Sequence, residues 1–339
     1  MDQNPQILSS KKGIGPAIGL FFLAPLVAEF LLGNLPIKLL PALVALAPMY
    51  GGGALLIRET VRRMGRGWPS ILLLALAFGI LEEAFTTQSL FNPDYLGMHF
   101  GLLKAAYIPA LRMGGWWTIF VLNLHMVWSI TTPIALVEGM VPEQSKTPWL
   151  GRVGLTVTCV LFLFGVTAIT RMSYRHDHYM SSTAQFISAG LAVVTLVIVA
   201  VRLPRWAAAQ EPGGVPNPWV AGLFALAAGS AFLLVQNRWG WGAAAAILAI
   251  DLVVSGAVWF WSRRAAWDMR HVVAMASGAA LAYAGHAFIE TPVMGSGLAA
   301  RIGNAIFALG AVVVIWVAGR RSSGAVNEQS APAEAFHGV

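Results

Sequence analysis

Residues 71–83 read ILLLALAFGILEE, an apolar run that ends on two adjacent carboxylates, Glu82 and Glu83. Together with its flanking residues, this run is long enough to cross a bilayer as a helix. A carboxylate in the hydrocarbon region costs roughly 2.5–3.5 kcal/mol on insertion scales. Two adjacent carboxylates therefore predict a bundle interior, a polar cavity or a bound cation at this point of the chain.

The composition extends this interpretation to the whole chain. Hydrophobic residues make up 57% and charged residues 11% of its 339 residues, and the mean hydropathy is +0.69. Soluble globular chains differ greatly from this mix. The sequence predicts an all-α, polytopic transmembrane helical bundle with about ten spans. The segments are 14–33, 37–57, 69–90, 116–137, 150–170, 184–202, 218–236, 241–261, 270–290 and 298–319.

The formal charge of +7 is spread over the predicted loops rather than over one soluble face, so we expect no nucleic-acid partner. With the N-terminus in the cytoplasm, inner loops and tails hold fifteen of the 22 Lys and Arg residues, including Arg58, Arg62 and Arg63. This bias predicts that both termini are cytoplasmic. The expected location is the cell membrane, as a multi-pass protein of the bacterial inner (plasma) membrane surrounded by membrane lipids.

The chain is predicted to have two membrane parts. Residues 1–205 form a six-span part that carries the candidate motifs, and residues 218–321 form an Ala-rich four-span part. A Pro- and Gly-containing cytoplasmic linker, 206–217, separates them, and a small, polar tail, 322–339, is predicted to be disordered. The long loop 91–115 is predicted to cap an outward-facing cavity, and Cys159 is expected to be a buried, apolar residue.

Counting residues by depth places several polar side chains at one level. The third span runs outward and carries Glu82 and Glu83 in its outer half, while the fourth runs inward and carries His125 at a similar depth. These three residues are the predicted catalytic group. The ninth span ends with His286 and Glu290 one helical turn apart. Because imidazole nitrogen and carboxylate oxygen suit zinc, His125, His286 and Glu290 are predicted to bind one divalent metal such as zinc.

The same residues are also compatible with proton transfer and with a purely structural role. The carboxylates and imidazoles can equally form a proton relay, to which Glu29 of the first span would belong by depth. A membrane glutamate or histidine can also simply bridge two helices by hydrogen bonds. The position of Asp251 in mid-span predicts a salt-bridged or ion-linked role, although the sequence shows no obvious partner for it. Glu138, at the inner edge, is expected to be exposed, and residues 175–179 (RHDHY) are expected to form a solvated loop.

The arrangement of Glu82-Glu83 on one span and His125 on the next, about forty residues later, resembles the first two motifs of the CAAX protease and bacteriocin-processing (Abi) family of intramembrane metalloproteases. The family pattern is Glu-Glu-x-x-x-Arg, then Phe-x-x-x-His, then a further His. Here Thr87 stands in the Arg position and Phe120 lies five residues before His125. The resemblance covers only the region around residues 80–130.

That resemblance implies metal-dependent hydrolysis of a peptide bond within the membrane. Glu82 or Glu83 would activate a water molecule, and His125 with another histidine would hold the metal or stabilise the oxyanion. The predicted function is therefore a metal-dependent intramembrane hydrolase acting on a membrane-embedded peptide or small molecule. A proton- or cation-coupled transporter is the alternative that the spread of acidic residues favours. A non-catalytic membrane assembly factor with a polar core is a third.

Overall fold

The computed structural model describes residues 13–205, 211–289, 292 and 297–330, and in this part of the chain helices joined by loops predominate, with one small hairpin. Its α-helices are α1 (Ile14–Pro25), α2 (Leu43–Arg63), α3 (Trp68–Leu81), α4 (Gly115–Asn123), α5 (Thr132–Met140), α6 (Arg152–Asp177), α7 (Thr183–Arg202), α8 (Pro218–Leu233), α9 (Trp241–Ser262), α10 (Met269–His286) and α11 (Leu298–Ser330).

Three π-helical segments extend or join these helices. The first, π1 (Leu26–Leu31), continues α1, π2 (Glu82–Thr86) continues α3, and π3 (Leu124–Thr131) joins α4 to α5 in one rod. Strands β1 (Tyr107–Ile108) and β2 (Met113–Gly114) pair antiparallel in the long loop. Short 3-10 turns occupy Ile37–Ala42, Tyr95–Gly97, Pro142–Gln144 and Asn237–Trp239.

Each of the ten predicted segments coincides with a helix or a helical rod, which confirms the all-α polytopic class. Eight of the described helices are long and apolar enough to cross a membrane. The other two are α8, which is shorter, and α10, which begins with the polar residues Arg270 and His271. Helix α11 continues to Ser330, so the predicted disordered tail does not begin at residue 322.

The helices of both predicted parts share one hydrophobic core. This core contains Val27 of π1, Trp128 of π3, Tyr283 of α10 and Ala318 of α11. Helix α10 packs closely on α8 because Gly278 has no side chain: a Cβ there would stand 2.2 Å from a backbone oxygen of α8. The predicted linker lies partly outside the described residues, and the boundary at 206–217 stays a prediction.

Exposure separates an inner group of helices from an outer one. Helices α6, α7, α9 and α11 are apolar but mostly exposed, as expected for surfaces that face lipid, whereas α2, α3 and the α4–π3–α5 rod are largely buried. Cys159 lies exposed on α6, so its predicted burial is wrong. The predicted site residues Glu82, Glu83 and His125 therefore lie on the helices that the bundle encloses.

Candidate functional site

The π-helical segments carry the candidate site. Glu29 lies in π1, Glu82 and Glu83 lie in π2, and His125 lies in π3. Within the described residues these are the three π-helical segments, and each contributes a titratable side chain to one place. Such segments are rare and frequently occur at functional sites, because the widened turn changes the direction of its side chains.

Close helix packing brings these segments together around Tyr50 of α2. A Cβ at Gly51 would stand 1.9 Å from the backbone oxygen of Phe21, so only glycine allows α1 and α2 to approach this closely. At Gly79 of α3, a Cβ would stand 3.1 Å from the Cβ of His125. We call the resulting group of Glu29, Tyr50, Glu82, Glu83 and His125 the Glu–His cluster.

His125 lies between the two adjacent glutamates. Its Nε2 is 2.7 Å from Oε1 of Glu83, and its Nδ1 is 3.1 Å from Oε2 of Glu82. The Oγ of Ser129, one turn along, lies 3.2 Å from the same Nδ1. Both ring nitrogens therefore face oxygen atoms, and a protonated ring can donate toward both carboxylates. The three titratable side chains are almost completely buried.

The carboxylate of Glu83 is held in place by several donors. Thr87 Oγ1 donates a hydrogen bond of 3.0 Å to Glu83 Oε2, as the predicted i, i+4 spacing allows, and Ser89 Oγ donates to the same oxygen. Trp117 Nε1 in turn donates to Ser89 Oγ at 3.0 Å. Gln88 adopts the left-handed backbone conformation with φ 60°, which turns the chain after π2 and brings Ser89 back toward Glu83.

Tyr50 connects Glu82 to Glu29. Its hydroxyl lies 2.5 Å from Glu82 Oε1 and 2.6 Å from Glu29 Oε1, and Asn34 Nδ2 donates to Glu29 Oε2 at 2.7 Å. A phenol has one proton and can donate to only one carboxylate at a time. Both contacts can be hydrogen bonds at the same time only when one of the two carboxyls is protonated and donates to the phenol oxygen.

Glu82 is the least satisfied carboxyl of the cluster. Its Oε2 is buried and forms no hydrogen bond, because its 3.1 Å contact with His125 Nδ1 meets the distance of an ion pair but lacks hydrogen-bond geometry. Buried polar oxygens without a partner are rare in proteins and need an explanation. Glu82 and Glu83 are thus adjacent in sequence but differ in environment.

The long loop 91–115 is held by residues at the end of α6 and directly after it. Asp177 Oδ2 accepts hydrogen bonds from Asn92 Nδ2 at 2.8 Å and from the backbone nitrogen of Leu96 at 3.3 Å. Tyr179 donates its hydroxyl to the backbone oxygen of Phe91 at 2.8 Å. Residues 175–177 belong to the end of α6 and only 178–179 lie outside the helix, so the predicted loop is partly helical, while Arg175, His176 and His178 are exposed as predicted.

Tyr95 of this loop lies within electrostatic reach of the cluster. Burial raises the pKa of the Tyr95 phenol well above its usual value, and the charges of Glu83, Glu29 and Glu82 raise it further. A negative phenolate is disfavoured next to these carboxylates, so the phenol stays neutral. The loop therefore places an uncharged polar group above the cluster.

The remaining predicted site residues lie elsewhere. His286 ends α10 and is half-buried, while Glu290 lies outside the described residues, so the predicted metal set of His125, His286 and Glu290 stays a prediction. Asp251 has a partner that the sequence did not reveal: its Oδ2 accepts a hydrogen bond of 3.0 Å from Asn123 Nδ2.

A second charged group, largely buried except for Arg63, lies on α2 and α5. We call Arg58, Glu59, Arg62, Arg63 and Glu138 the Arg–Glu cluster. Arg62 binds Glu138 with two hydrogen bonds of 2.7 and 2.8 Å, and Arg58 Nε donates to Glu138 at 3.0 Å. Glu138 is 0% exposed, so its predicted exposure is wrong. The arginines were assigned to a loop, but α2 continues through them to residue 63.

Arg58 also fixes the segment that follows α5. Its Nη1 donates to Glu59 at 2.9 Å, and its Nη2 donates to the backbone oxygens of Gln144, Ser145 and Thr147 at 3.0–3.1 Å. The guanidinium carbon lies 3.3 Å from the ring centroid of Trp149. Every nitrogen of this buried guanidinium is therefore used.

Sequence reasoning missed Tyr50 and the Arg–Glu cluster. The pairs Arg58/Arg62 and Glu59/Arg63 stand four residues apart, which is the spacing of neighbours on one helix face and was the available signal for the second cluster. For Tyr50 no such signal exists, because its partners lie 21 and 32 residues away.

The Glu–His cluster has the donor set of a metal site. One ligand atom each from Glu82, Glu83 and His125 lies within 4.8 Å of the others. Three protein ligands of this kind are the number that catalytic zinc sites use, with a fourth position left for water. Ser129 beside His125, and Thr87 beside Glu83, are the outer hydrogen-bond partners that orient such ligands. The residues therefore fit a divalent metal.

Comparison with known proteins identifies a family without an assigned activity. A protein-family model described as an uncharacterized membrane protein family matches residues 20–326. No curated protein and no solved structure matches the chain. None of these comparisons links the chain to the CAAX proteases.

Proposed function

The chain belongs to this uncharacterized membrane protein family, and we propose that its Glu–His cluster binds and passes on protons in proton-coupled membrane transport. The observation that carries this proposal is the unbroken sequence of contacts Glu83–His125–Glu82–Tyr50–Glu29, each 2.5–3.1 Å long. Chains of titratable side chains inside a membrane protein are typical of proton relays.

The two ends of this chain differ in their access to solvent. Glu83 and His125 are buried, whereas Glu29 is half-buried and lies beside the equally half-buried Asn34. Protons would therefore enter or leave at Glu29. Glu83, with its three side-chain donors, would remain the fixed counter-charge of His125. Glu82, with one oxygen on Tyr50 and one without a hydrogen bond, would be the group whose protonation changes.

The two clusters are proposed to lie toward opposite sides of the membrane. Ten helices spanning the bacterial inner membrane, with both termini in the cytoplasm, would place the Glu–His cluster toward the outside and the Arg–Glu cluster toward the cytoplasm. A small molecule that moves with the proton is the proposed substrate. Membrane lipids are the proposed surroundings, and nucleic acid has no part in this function.

Infrared difference spectroscopy of the purified protein tests whether a carboxyl of the Glu–His cluster is protonated at neutral pH. The wild type is expected to show the C=O stretch of a protonated carboxylic acid at neutral pH, and Glu82→Gln and Tyr50→Phe are expected to remove or shift it. Glu143→Gln is the matched control, because Glu143 is exposed and lies outside both clusters. A folded wild type without any protonated carboxyl at neutral pH would contradict the proposal.

Proteoliposomes that contain a pH-sensitive dye test the transport step. Addition of candidate solutes to one side is expected to move protons through the wild type and the Glu143→Gln control, but not through Glu82→Gln. A change of stability in Glu82→Gln with wild-type proton movement would instead favour an assembly factor with a polar core.

A metal-dependent hydrolase is the second candidate, and the buried Glu82 Oε2 without a hydrogen bond favours it. Glu82, Glu83 and His125 would hold the metal, as the partial resemblance to the CAAX proteases also implies. A bound zinc ion would supply Lewis-acid catalysis and an activated water. A membrane-embedded peptide or small molecule would be the substrate, positioned beneath the loop that carries Tyr95.

Metal content measured by mass spectrometry separates the two candidates. About one zinc or similar ion per wild-type chain, lost in Glu82→Gln, Glu83→Gln and His125→Ala but kept in Glu143→Gln, would favour the hydrolase over the relay. A folded wild type without stoichiometric metal would leave proton transfer as the function of the cluster.

A further inference from the structure

The turn between α2 and α3 contains an arginine whose guanidinium lacks partners. The Nε and Nη1 atoms of Arg66 are buried and form no hydrogen bond. A buried donor without an acceptor costs about 1–3 kcal/mol, and more when it is charged. A side chain that is kept in this state within a tight turn therefore indicates a ligand that supplies the acceptors.

The acidic residues near this turn already form ion pairs with other arginines. Arg62 binds Glu138 with a two-pronged contact, and Arg63 binds Glu59 at 3.1 Å. Glu59 and Glu138 also bind Arg58. No carboxylate of the described residues within this group remains for Arg66, so the acceptor has to come from outside the helix bundle.

A second arginine approaches the same turn from α7. Ser70 Oγ of α3 donates a hydrogen bond of 2.8 Å to the backbone oxygen of Ala200, which holds the end of α7 beside the start of α3. Arg205 Nε consequently lies 4.0 Å from the position that a Cβ would take at Gly65. Arg202 and Arg205 are exposed, and within the described residues neither has an acidic partner.

The position of the turn identifies the environment of this site. The span that includes α2 ends at Arg63 and the next begins at Trp68, so residues 64–67 lie at the border of the membrane. Lipid headgroups occupy that border, and basic pockets between helices at this level bind anionic headgroups. Planar guanidinium groups match phosphate oxygens with paired hydrogen bonds.

We propose that Arg66 and Arg205, at the junction of the α2–α3 turn with the end of α7, bind the phosphate of an anionic phospholipid headgroup. Arg66 supplies the buried donors Nε and Nη1, and Arg205 closes the site from the exposed side. This proposal is independent of the function of the Glu–His cluster, since none of its residues belongs to that cluster.

Native mass spectrometry of the full chain, titrated with phosphatidylglycerol, tests the site. The wild type is expected to bind this lipid more tightly than phosphatidylcholine. Arg66→Gln is expected to weaken phosphatidylglycerol binding about fivefold, the change that about 1 kcal/mol per basic residue near the membrane surface produces. Arg152→Gln is the matched control, because Arg152 begins α6, is exposed and belongs neither to the Arg–Glu cluster nor to the proposed lipid site. It is expected to bind as the wild type does.

Three results would overturn the proposal. These are equal binding of the two lipids by the wild type, unchanged phosphatidylglycerol binding by Arg66→Gln, and competition by inorganic phosphate at the same concentration, which would identify a free anion as the ligand. If Arg66→Gln does not fold, Arg205→Gln is measured in its place. Its side chain is exposed, so this substitution is expected to leave the fold intact. The same weakening supports the site, and unchanged binding contradicts it.

Discussion

The Glu–His cluster and the Arg–Glu cluster both include residues of α2 and of the α4–π3–α5 rod, but their charged side chains are paired in different ways. Tyr50 and Arg58, one from each cluster, are eight residues apart on α2, which is about 12 Å along the helix axis. Three arginines and two glutamates form the Arg–Glu cluster, and its charges pair with each other. In the Glu–His cluster, two glutamates contact one histidine and a third glutamate is connected to them through Tyr50.

The two clusters also differ in how completely their polar atoms are hydrogen-bonded. Arg58 uses all its nitrogens, and Glu138 binds two arginines through regular α-helical turns. The Glu–His cluster instead lies on π-helical turns, shares one hydroxyl between two carboxyls and leaves Glu82 Oε2 without a hydrogen bond. A buried cluster whose charges are paired holds helices in place, whereas a buried cluster with more carboxyls than cationic partners can bind and release protons. The predictions below test this contrast by matched substitutions.

Glu138→Gln is expected to have the largest effect on stability. Glutamine keeps the shape of the side chain but leaves Arg58 and Arg62 without their shared carboxylate, and removing one partner of a buried ion pair costs about 3–5 kcal/mol. Unfolding of the purified protein by denaturant measures the loss. Glu143→Gln, an exposed change of the same kind, is the control and should stay within about 0.5 kcal/mol of the wild type. A similar result for both variants would contradict the structural role of the Arg–Glu cluster.

Arg58→Met is expected to lower the free energy of unfolding somewhat less than Glu138→Gln does. Methionine retains part of the apolar stem, and Glu138 keeps its two hydrogen bonds from Arg62. The variant loses Nη2, a single nitrogen that the backbone oxygens of residues 144, 145 and 147 share. A hydrogen bond from a charged group contributes about 1.5–3 kcal/mol. Protease digestion should show faster cleavage in the 141–150 segment than in the wild type. Wild-type protection would mean that Trp149 alone fixes this segment.

The helices could be predicted from the sequence because apolar length is a local property. All ten predicted segments coincide with helices. Equal depth allowed Glu82, Glu83 and His125 to meet but could not show that they do, and the structure brings one ligand atom of each within 4.8 Å of the others. Polar partners on other helices could not be predicted in this way. Tyr50 looks like any aromatic residue of a span until its position between two carboxyls is known.

The failed predictions share a cause. Glu138 was placed at an exposed edge, although two arginines of α2 reach it and the segment after α5 folds over it. The depth of a residue along a helix does not indicate whether its helix face is covered, or which residues of other helices cover it. The π-helical turns also have no sequence signal in this chain, because whether a helix widens depends on the side chains that it must accommodate from its neighbours.

Tyr50→Phe is expected to have a moderate effect on stability and a large one on proton transfer. The substitution removes one hydroxyl shared by two carboxyls, so the loss should be near 1 kcal/mol, the usual net contribution of a hydrogen bond. Glu29 and Glu82 would then be connected by no side chain. Proton movement in dye-loaded liposomes should fall to the background rate. Full proton movement in a folded Tyr50→Phe protein would mean that the path does not pass through this phenol.

Glu82→Gln is expected to have the smallest effect on stability, although it is the same chemical change as Glu138→Gln. In the Arg–Glu cluster the substitution removes a carboxylate that two arginines share, but here it removes one of the two carboxyls that contact a single histidine. The amide can still donate to Tyr50, and Glu83 still binds His125 at 2.7 Å. We therefore expect a change within about 1 kcal/mol of the wild type, in either direction, measured by the same denaturant unfolding. Destabilisation as large as that of Glu138→Gln would show that the Glu–His cluster is a structural ion-pair group like its neighbour, and proton transfer would lose its support. A stable, inactive variant would instead separate the two clusters by function, because only one of them would then be needed for folding.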